Sequence, residues 1–259
     1  MKVVILAGGT GTRLSEETVN KPKPAVEIGG KPIIWHIMKI YSLYGLNEFI
    51  ICCGYKGNIL KEYFLNYFTN NSDIKINFRN NKVSILKKPN ENWSITLVDT
   101  GKDTMTGGRI KRISHLINKN EDFCLTYGDG VSDVNIKKLI KFHKNHKKIA
   151  TVTAVQLHGR YGTLTLNKKN KNLISNFIEK PKDDTSWING GFFVLNQKIL
   201  KEIKSDSEIF ERKPLENIAS KKNLMAYKHK GFWKAMDTLN DKNYLENLIS
   251  INKAPWIKW

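Results

Sequence analysis

Cysteine is scarce in this chain: Cys52, Cys53 and Cys124 are the only three in 259 residues. They form no CxxC pair and no even-numbered framework, which leaves reduced core residues as their expected role. Cys52 and Cys53 end the apolar run Phe49-Ile50-Ile51-Cys52-Cys53, where a strand sends neighbouring side chains to opposite faces. Long apolar stretches are also missing. No run approaches the roughly 18 residues of a membrane span, so no membrane partner is expected. Met1-Lys2-Val3 leads into an apolar segment without a signal-peptide h-region, and a cytoplasmic location is the expectation. Internal repeats and Pro/Ser-rich linkers are absent, so residues 1–259 read as a single domain.

Acidic residues are the third shortage. There are 24 Asp and Glu against 43 Lys and Arg, a formal charge of +19. Such an excess attracts phosphates, and two readings follow: a nucleic-acid surface or anionic substrate, or lysines spread over solvated faces. Lys137, Lys138, Lys141, Lys144, Lys147 and Lys148 are strung along one predicted helix, and no aromatic-interleaved basic platform accompanies them. No nucleic-acid partner is therefore expected. His143 and His146 lie close together in the same helix, without a further metal ligand.

Glycine, by contrast, is concentrated where it matters. The buried strand Val3 to Ala7 runs into Gly8-Gly9-Thr10-Gly11-Thr12-Arg13-Leu14, with three glycines in four positions and a cation at the far end. Such a loop lets backbone N–H groups approach an anion. Its spacing is not that of the dinucleotide fingerprint, since Leu14 stands at the third glycine position and no acidic residue closes the second strand. Nor is it a P-loop, because Arg13 stands five residues after Gly8 where glycine is required. A protein-kinase loop fails too, for want of a His-Arg-Asp segment.

The rest of the chain alternates strands and helices at βαβ lengths, which predicts an α/β fold with a mixed, mostly parallel sheet flanked by helices. Helices are expected over Ile33 to Tyr44, Asn58 to Phe68, Thr106 to Ile117, Val134 to His146, Gln197 to Lys204, Leu215 to Lys221 and Leu239 to Ile251. Thr106-Gly107-Gly108-Arg109 is read as a helix cap. Between Thr69 and Trp93 short alternating segments flank Arg79-Asn80-Asn81 and predict an inserted β-hairpin, serving as a lid, a subunit contact or decoration. Strand pairs are read around Tyr161–Leu166 and Leu173–Glu179.

Further motifs fall in a fixed order: Lys21-Pro22-Lys23-Pro24, Gly30-Lys31-Pro32, Gly128-Asp129-Gly130, Glu179-Lys180-Pro181, Asn189-Gly190-Gly191-Phe192-Phe193 and Trp233-x-x-Met236-Asp237-Thr238. With Leu6-Ala7-Gly8-Gly9-x-Gly11-Thr12-Arg13-Leu14, this order resembles the sugar-nucleotide pyrophosphorylases, over essentially the whole chain. Thr104-Met105-Thr106-Gly107-Gly108-Arg109, Ile50-Ile51-Cys52-Cys53-Gly54-Tyr55-Lys56-Gly57 and Lys253-Ala254-Pro255-Trp256 are most similar to the branch that acts on glucose 1-phosphate with CTP. Thymidylyl and uridylyl branches usually carry a proline after Thr-Arg-Leu, where this chain has Ser15-Glu16-Glu17.

The resemblance implies a nucleotide-diphospho-sugar transferase fold and attack of a sugar-1-phosphate oxygen on the α-phosphorus of CTP. CDP-glucose and pyrophosphate would result, as an early step toward deoxysugars and O-antigen sugars. A thymidylyl or uridylyl transfer to the same sugar phosphate is the alternative, and a non-catalytic sugar-nucleotide or nucleic-acid binding protein a more distant one. By the same resemblance Arg13 and Lys23 are catalytic, clamping the leaving phosphates and the α-phosphate. Leu6, Ala7, Gly8, Gly9, Thr10, Gly11, Thr12, Thr104, Arg109, Gly128 and Asp129 join them in binding nucleotide. Glu179, Lys180, Asn189 and Gly190 would take the sugar phosphate, and Asp129 and Asp237 would hold Mg²⁺. Either aspartate could instead cap a turn or helix, and Arg109 could be an ordinary first-turn residue. A homo-oligomer is implied as well, with a hexamer among the options. Two tryptophans in Pro255-Trp256-Ile257-Lys258-Trp259 point to docking of the tail on the body or on a neighbouring subunit.

Overall fold

The computed structural model describes residues 1–156, 163–166, 174–178 and 187–259. Seven strands build its main sheet: β1 (Val3–Ala7), β2 (Glu48–Cys53), β3 (Ser94–Asp99), β4 (Asp122–Tyr127), β5 (Ala150–Gln156), β6 (Trp187–Asn196) and β7 (Leu224–His229). Their order across the sheet is β7-β5-β6-β4-β1-β2-β3. β1 pairs in parallel with β2 and β4, β2 with β3, and β5 with β7. β6 runs antiparallel to both neighbours. The sheet is thus mixed and mostly parallel, as the alternation of elements predicts.

Helices cover both faces: α1 (Ile33–Ser42), α2 (Gly57–Asn70), α3 (Thr106–Arg112), α4 (Ile136–His146), α5 (Lys213–Ser220) and α6 (Leu239–Ser250). Side chains alternate between two cores, as strands buried on both faces require. Val3, Ile5, Phe49, Ile51 and Cys53 join one cluster with α1; Val4, Leu6, Ile50, Cys52, Phe123 and Leu125 join the other. The adjacent cysteines therefore do part to opposite faces. Both are buried and free, and burial pushes the Cys52 thiol up to about 12, which leaves it inert.

Three local expectations need correction. The segment predicted as one helix to Ile117 leaves α3 after Arg112 and continues as a 3-10 turn over Ser114–Leu116. β-branched Ile113 and Ser114 are poor helix continuers, while Ile110 and Ile113 still reach the core. Gln197–Glu202 is likewise a 3-10 helix, started by the Asn196 side chain accepting from Lys198 N. Thr106 does not cap α3: the N-cap residue is Met105, with no side-chain cap, and the Thr106 hydroxyl is engaged elsewhere.

The expected hairpin is present, Asp73–Asn77 pairing antiparallel with Lys82–Lys87. Thr163–Leu166 also pairs antiparallel with Ile174–Ile178. At the C-terminal end Trp256 is buried, stacks on Phe232 at 5.3 Å and donates to His36 Nδ1. Trp259 meets Trp35 edge-on at 5.8 Å, so the tail docks on its own body. Among the described residues no helix is long and apolar enough to cross a membrane.

Candidate active site

Ligands of α/β sheets gather beyond the carboxyl ends of the parallel strands. Here β1, β2, β3 and β4 end together at Ala7, Cys53, Asp99 and Tyr127, and a cleft of about 310 Å³ opens above them. Leu6 and Ala7 form part of its floor, and Gly8, Gly9, Gly11, Thr12 and Arg13 curl over it. Gly11 adopts φ +67, and a Cβ there would stand 2.9 Å from Thr18 Cγ2. The loop is pinned from below by the Thr18 hydroxyl, which donates to Gly11 O and Leu14 O.

Lys23 enters the same cleft from a 3-10 turn, Lys23–Ala25, where Pro22 before it and Pro24 after it restrict the backbone. Its ammonium lies 2.7 Å from Asp129 Oδ2 and 2.7 Å from Asp237 Oδ1. Arg13 Nη1 approaches Asp237 Oδ2 at 3.2 Å. Burial alone would depress the Lys23 pKa, yet the two carboxylates outweigh it and hold the value above its usual range. Two cations and two carboxylates thus balance each other in one cluster.

A short ribbon brings the two aspartates together from positions 108 residues apart. Gly130–Ser132 pairs antiparallel with Trp233–Ala235, and Met236 N donates to Asp129 O at 2.8 Å. Asp129 immediately precedes one strand of the ribbon, and Asp237 closely follows the other. Sequence alone leaves Asp237 open as the cap of α6. The structure gives that task to Thr238, in a reciprocal capping box with Asp241. The Asp237 side chain is left facing Lys23 and Arg13.

The nucleotide set of the sequence reading converges here, because Thr104, Arg109, Gly128 and Asp129 also line the cleft. Thr10 is not among the lining residues. Arg109, which lines the cleft, also has a role inside the protein. Its guanidinium donates to Cys53 O, Thr100 Oγ1, Gly101 O, Gly8 O and Lys102 O, which ties the glycine loop to the loop after β3. Asn189 and Gly190 sit on β6 beside Tyr127: Asn189 Nδ2 donates to Tyr127 Oη at 3.1 Å, and Trp233 Nε1 donates to Gly190 O at 2.7 Å. Glu179 and Lys180 lie outside the described residues.

Four lining residues escape the sequence reading: Pro24, Met105, Thr106 and Tyr127. Tyr127 was findable, since it is the last residue of a buried strand directly before Gly128-Asp129-Gly130. Thr106 and its partner Glu211, 2.7 Å away, are 105 positions apart and carry no local signal.

This geometry agrees with what comparison with known proteins finds. The family model described as nucleotidyl transferase matches residues 2–247. The chain belongs to the nucleotidyl transferase family. A glucose-1-phosphate cytidylyltransferase of Salmonella typhimurium is 54% identical over 259 residues, covering 100% of both chains. A mannose-1-phosphate guanyltransferase of Candida albicans is 27% identical over 263 residues, covering 98% of this chain and 66% of its own. In three dimensions the chain is similar to a UDP-glucose pyrophosphorylase complexed with UDP-glucose, with a TM-score of 0.66, 18% identity and coverage of 97% and 98%. That likeness is one of overall fold.

Proposed function

We propose that this nucleotidyl transferase moves a cytidylyl group from CTP to α-D-glucose 1-phosphate, giving CDP-glucose and pyrophosphate. The observation that carries the reading is the Lys23 ammonium held between Asp129 and Asp237, below a glycine loop and beside Arg13. The full-length relationship at 54% identity to a glucose-1-phosphate cytidylyltransferase supports the choice of base and sugar.

A phosphate oxygen of the sugar phosphate forms the new bond to the α-phosphorus of CTP, the α–β bridging bond breaks, and pyrophosphate leaves with its electron pair. Such a step asks the protein for alignment and charge compensation. Gly8 to Gly11 offer backbone N–H groups to the nucleotide phosphates. Arg13, exposed, meets the departing pyrophosphate with a planar cationic fork. Lys23 compensates charge growing at the α-phosphate. Asn189 and Gly190, with Glu179 and Lys180, receive the sugar phosphate.

Asp129 and Asp237 converge on one cationic point with hard oxygen donors, which suits Mg²⁺. With only two carboxylates from the protein, an ion held here would take its other ligands from phosphate oxygens and water. When bound, the ion would neutralise triphosphate charge and favour departure of pyrophosphate.

Homo-oligomeric assembly in the cytoplasm belongs to the same reading. The assembly, though not the location, is supported by the exposed apolar side chains of the 73–87 hairpin.

A panel of CTP, UTP, dTTP and GTP against α-D-glucose 1-phosphate, with pyrophosphate release as the signal, tests the proposal. CTP is expected to exceed each of the others by at least about tenfold in kcat/KM, about the discrimination of one well-placed hydrogen bond. Preference for UTP or dTTP would overturn the base assignment. Absence of release with every pair would overturn the reaction.

A further inference from the structure

Glu211 lies outside every motif discussed so far, yet its carboxylate contacts two residues that line the cleft, Tyr127 and Thr106. Both of its oxygens are engaged there. Oε1 accepts from Tyr127 Oη at 2.5 Å, and Oε2 accepts from the Thr106 hydroxyl at 2.7 Å. The segment that carries it is fastened to the start of α3, where Met105 N donates to Asp206 O and Gly107 N to Glu208 O. A Cβ at Gly107 would stand 2.6 Å from Glu208 O, so only glycine admits this approach.

Donor and acceptor counting makes Glu211 more than a brace. An ionised carboxylate can only accept, so the single phenolic proton of Tyr127 is committed to it. Tyr127 Oη must then act as an acceptor toward Asn189, whose Nδ2 donates to it at 3.1 Å. The Asn189 amide oxygen is occupied by Gly191 N at 2.8 Å. Both contacts fix the amide the same way round, with nitrogen toward Tyr127 and oxygen toward its own backbone. Asn189 is exposed, and among the described residues its second N–H has no protein partner. Burial, reinforced by the adjacent Glu211 charge, holds the Tyr127 phenol far above its ordinary pKa, so the proton stays on.

We infer that Glu211 is a positioning residue of the sugar-phosphate subsite. Through Tyr127 it fixes the polarity of the chain Asn189→Tyr127→Glu211, so that Asn189 offers an N–H donor to an acceptor oxygen of the sugar phosphate. This rests on the function proposed above. It assigns a share of the orientation of Asn189, beside the Gly191 N contact, to the Glu211 carboxylate.

The test compares Glu211→Ala, Glu211→Gln and Tyr127→Phe in steady-state kinetics with the best pair from the triphosphate panel. Glu211→Ala releases the phenolic proton, so Tyr127 no longer has to accept from Asn189 and only the Gly191 N contact still orients the amide. It should raise KM for the sugar phosphate about tenfold, the worth of one hydrogen bond, with KM for the nucleotide within twofold and kcat within about threefold. Glu211→Gln keeps an acceptor for Tyr127 and should recover KM to within about threefold. Tyr127→Phe should raise the same KM about fivefold and add little to Glu211→Ala.

An unmoved sugar-phosphate KM in a folded Glu211→Ala protein overturns the inference. So does an equal rise in both KM values, the mark of general loosening. If Glu211→Ala does not fold, Tyr127→Phe decides by the same split. Should the wild type turn over no pair, the proposed reaction fails separately. The variants are then compared for calorimetric binding of α-D-glucose 1-phosphate, where a wild-type affinity in Glu211→Ala overturns the inference.

Discussion

The cleft above β1 and the hairpin at 73–87 lie in one chain but are stabilised in opposite ways. In the cleft, each charged side chain at the centre has a partner far away in sequence: Lys23 with Asp129 and Asp237, Arg13 with Asp237. In the hairpin the ten backbone-paired positions are local, and Ile74, Ile76, Phe78, Val83, Ile85 and Leu86 all face solvent, Phe78 at 84% exposure. A two-stranded ribbon exposed on both faces gains little stability by itself. The cleft is over-determined by the fold, whereas the hairpin is determined only by its own ladder. Substitutions in the cleft should therefore affect chemistry and leave assembly alone, and substitutions in the hairpin should do the reverse.

The sharpest attempt to break this contrast is made at Lys23 and Asp129. In the proposed reaction, removing either charge deletes a group that compensates the reacting phosphate or holds the ion beside it. Lys23→Ala and Asp129→Ala should each reduce kcat/KM by at least about 100-fold, an effect usual for loss of one charge-stabilising group. Size-exclusion profiles should stay those of the wild type. Near-normal turnover in either variant would remove that residue from the reaction and would leave the cluster a purely structural ion pair.

The same contrast explains what could be read without coordinates. The sheet, the order of its elements and the glycine loop were legible because each is written locally: apolar runs of strand length, helical spacing in Ile34, Ile37, Met38 and Tyr41, and three glycines within Gly8–Gly11. The hairpin was legible for the same reason, through alternation on both sides of Arg79-Asn80-Asn81. Resemblance supplied Lys23, Asp129 and Asp237, and the short ribbon between 130–132 and 233–235 supplies the reason they meet. Relations between distant polar groups were not legible. Nothing near Arg109 announces five acceptors drawn from one strand end and two loops, and nothing near Glu211 announces Tyr127. A helix boundary such as that at Arg112 was missed because apolar spacing looks alike in an α-helix and in the 3-10 turn that follows it.

A middle case is the tail, whose contacts with the body include one buried histidine. His36 Nε2 faces Ile28 O at 2.9 Å, while Trp256 Nε1 approaches Nδ1 at 3.4 Å. Trp256 can only donate, so Nδ1 must accept, and the ring is held neutral with its proton on Nε2. Burial lowers the His36 pKa from 6.5 to about 4. Between those values the unfolded chain binds a proton that the folded chain refuses. Stability is intact above pH 6.5 and falls as pH drops toward 4, by about 1.4 kcal/mol for each pH unit in that window. His143 and His146 are lowered in the same direction, so the readout is a difference. Denaturant titrations at pH 6.5 and 5.5 should show a loss smaller by about 1 kcal/mol in His36→Gln than in the wild type. Equal losses would mean that His36 accepts a proton in the fold, and the tail contact would not be the neutral one described.

The smallest effect on the folded chain is expected in the hairpin, and its size is what makes it informative. Phe78→Ser and Ile76→Ser remove side chains that touch solvent, so each should change the unfolding free energy by no more than about 0.5 kcal/mol. Turnover per site should stay within about twofold, a difference of some 0.4 kcal/mol in barrier height. If copies of the chain associate through this ribbon, the double variant should shift the mass found by light scattering toward the monomer, since exposed apolar patches of this kind mark contact surfaces. An unchanged mass with unchanged stability would make the ribbon decoration. A large loss of stability in a dilute, monomeric sample would overturn the contrast itself, because it would show the hairpin supporting the body after all.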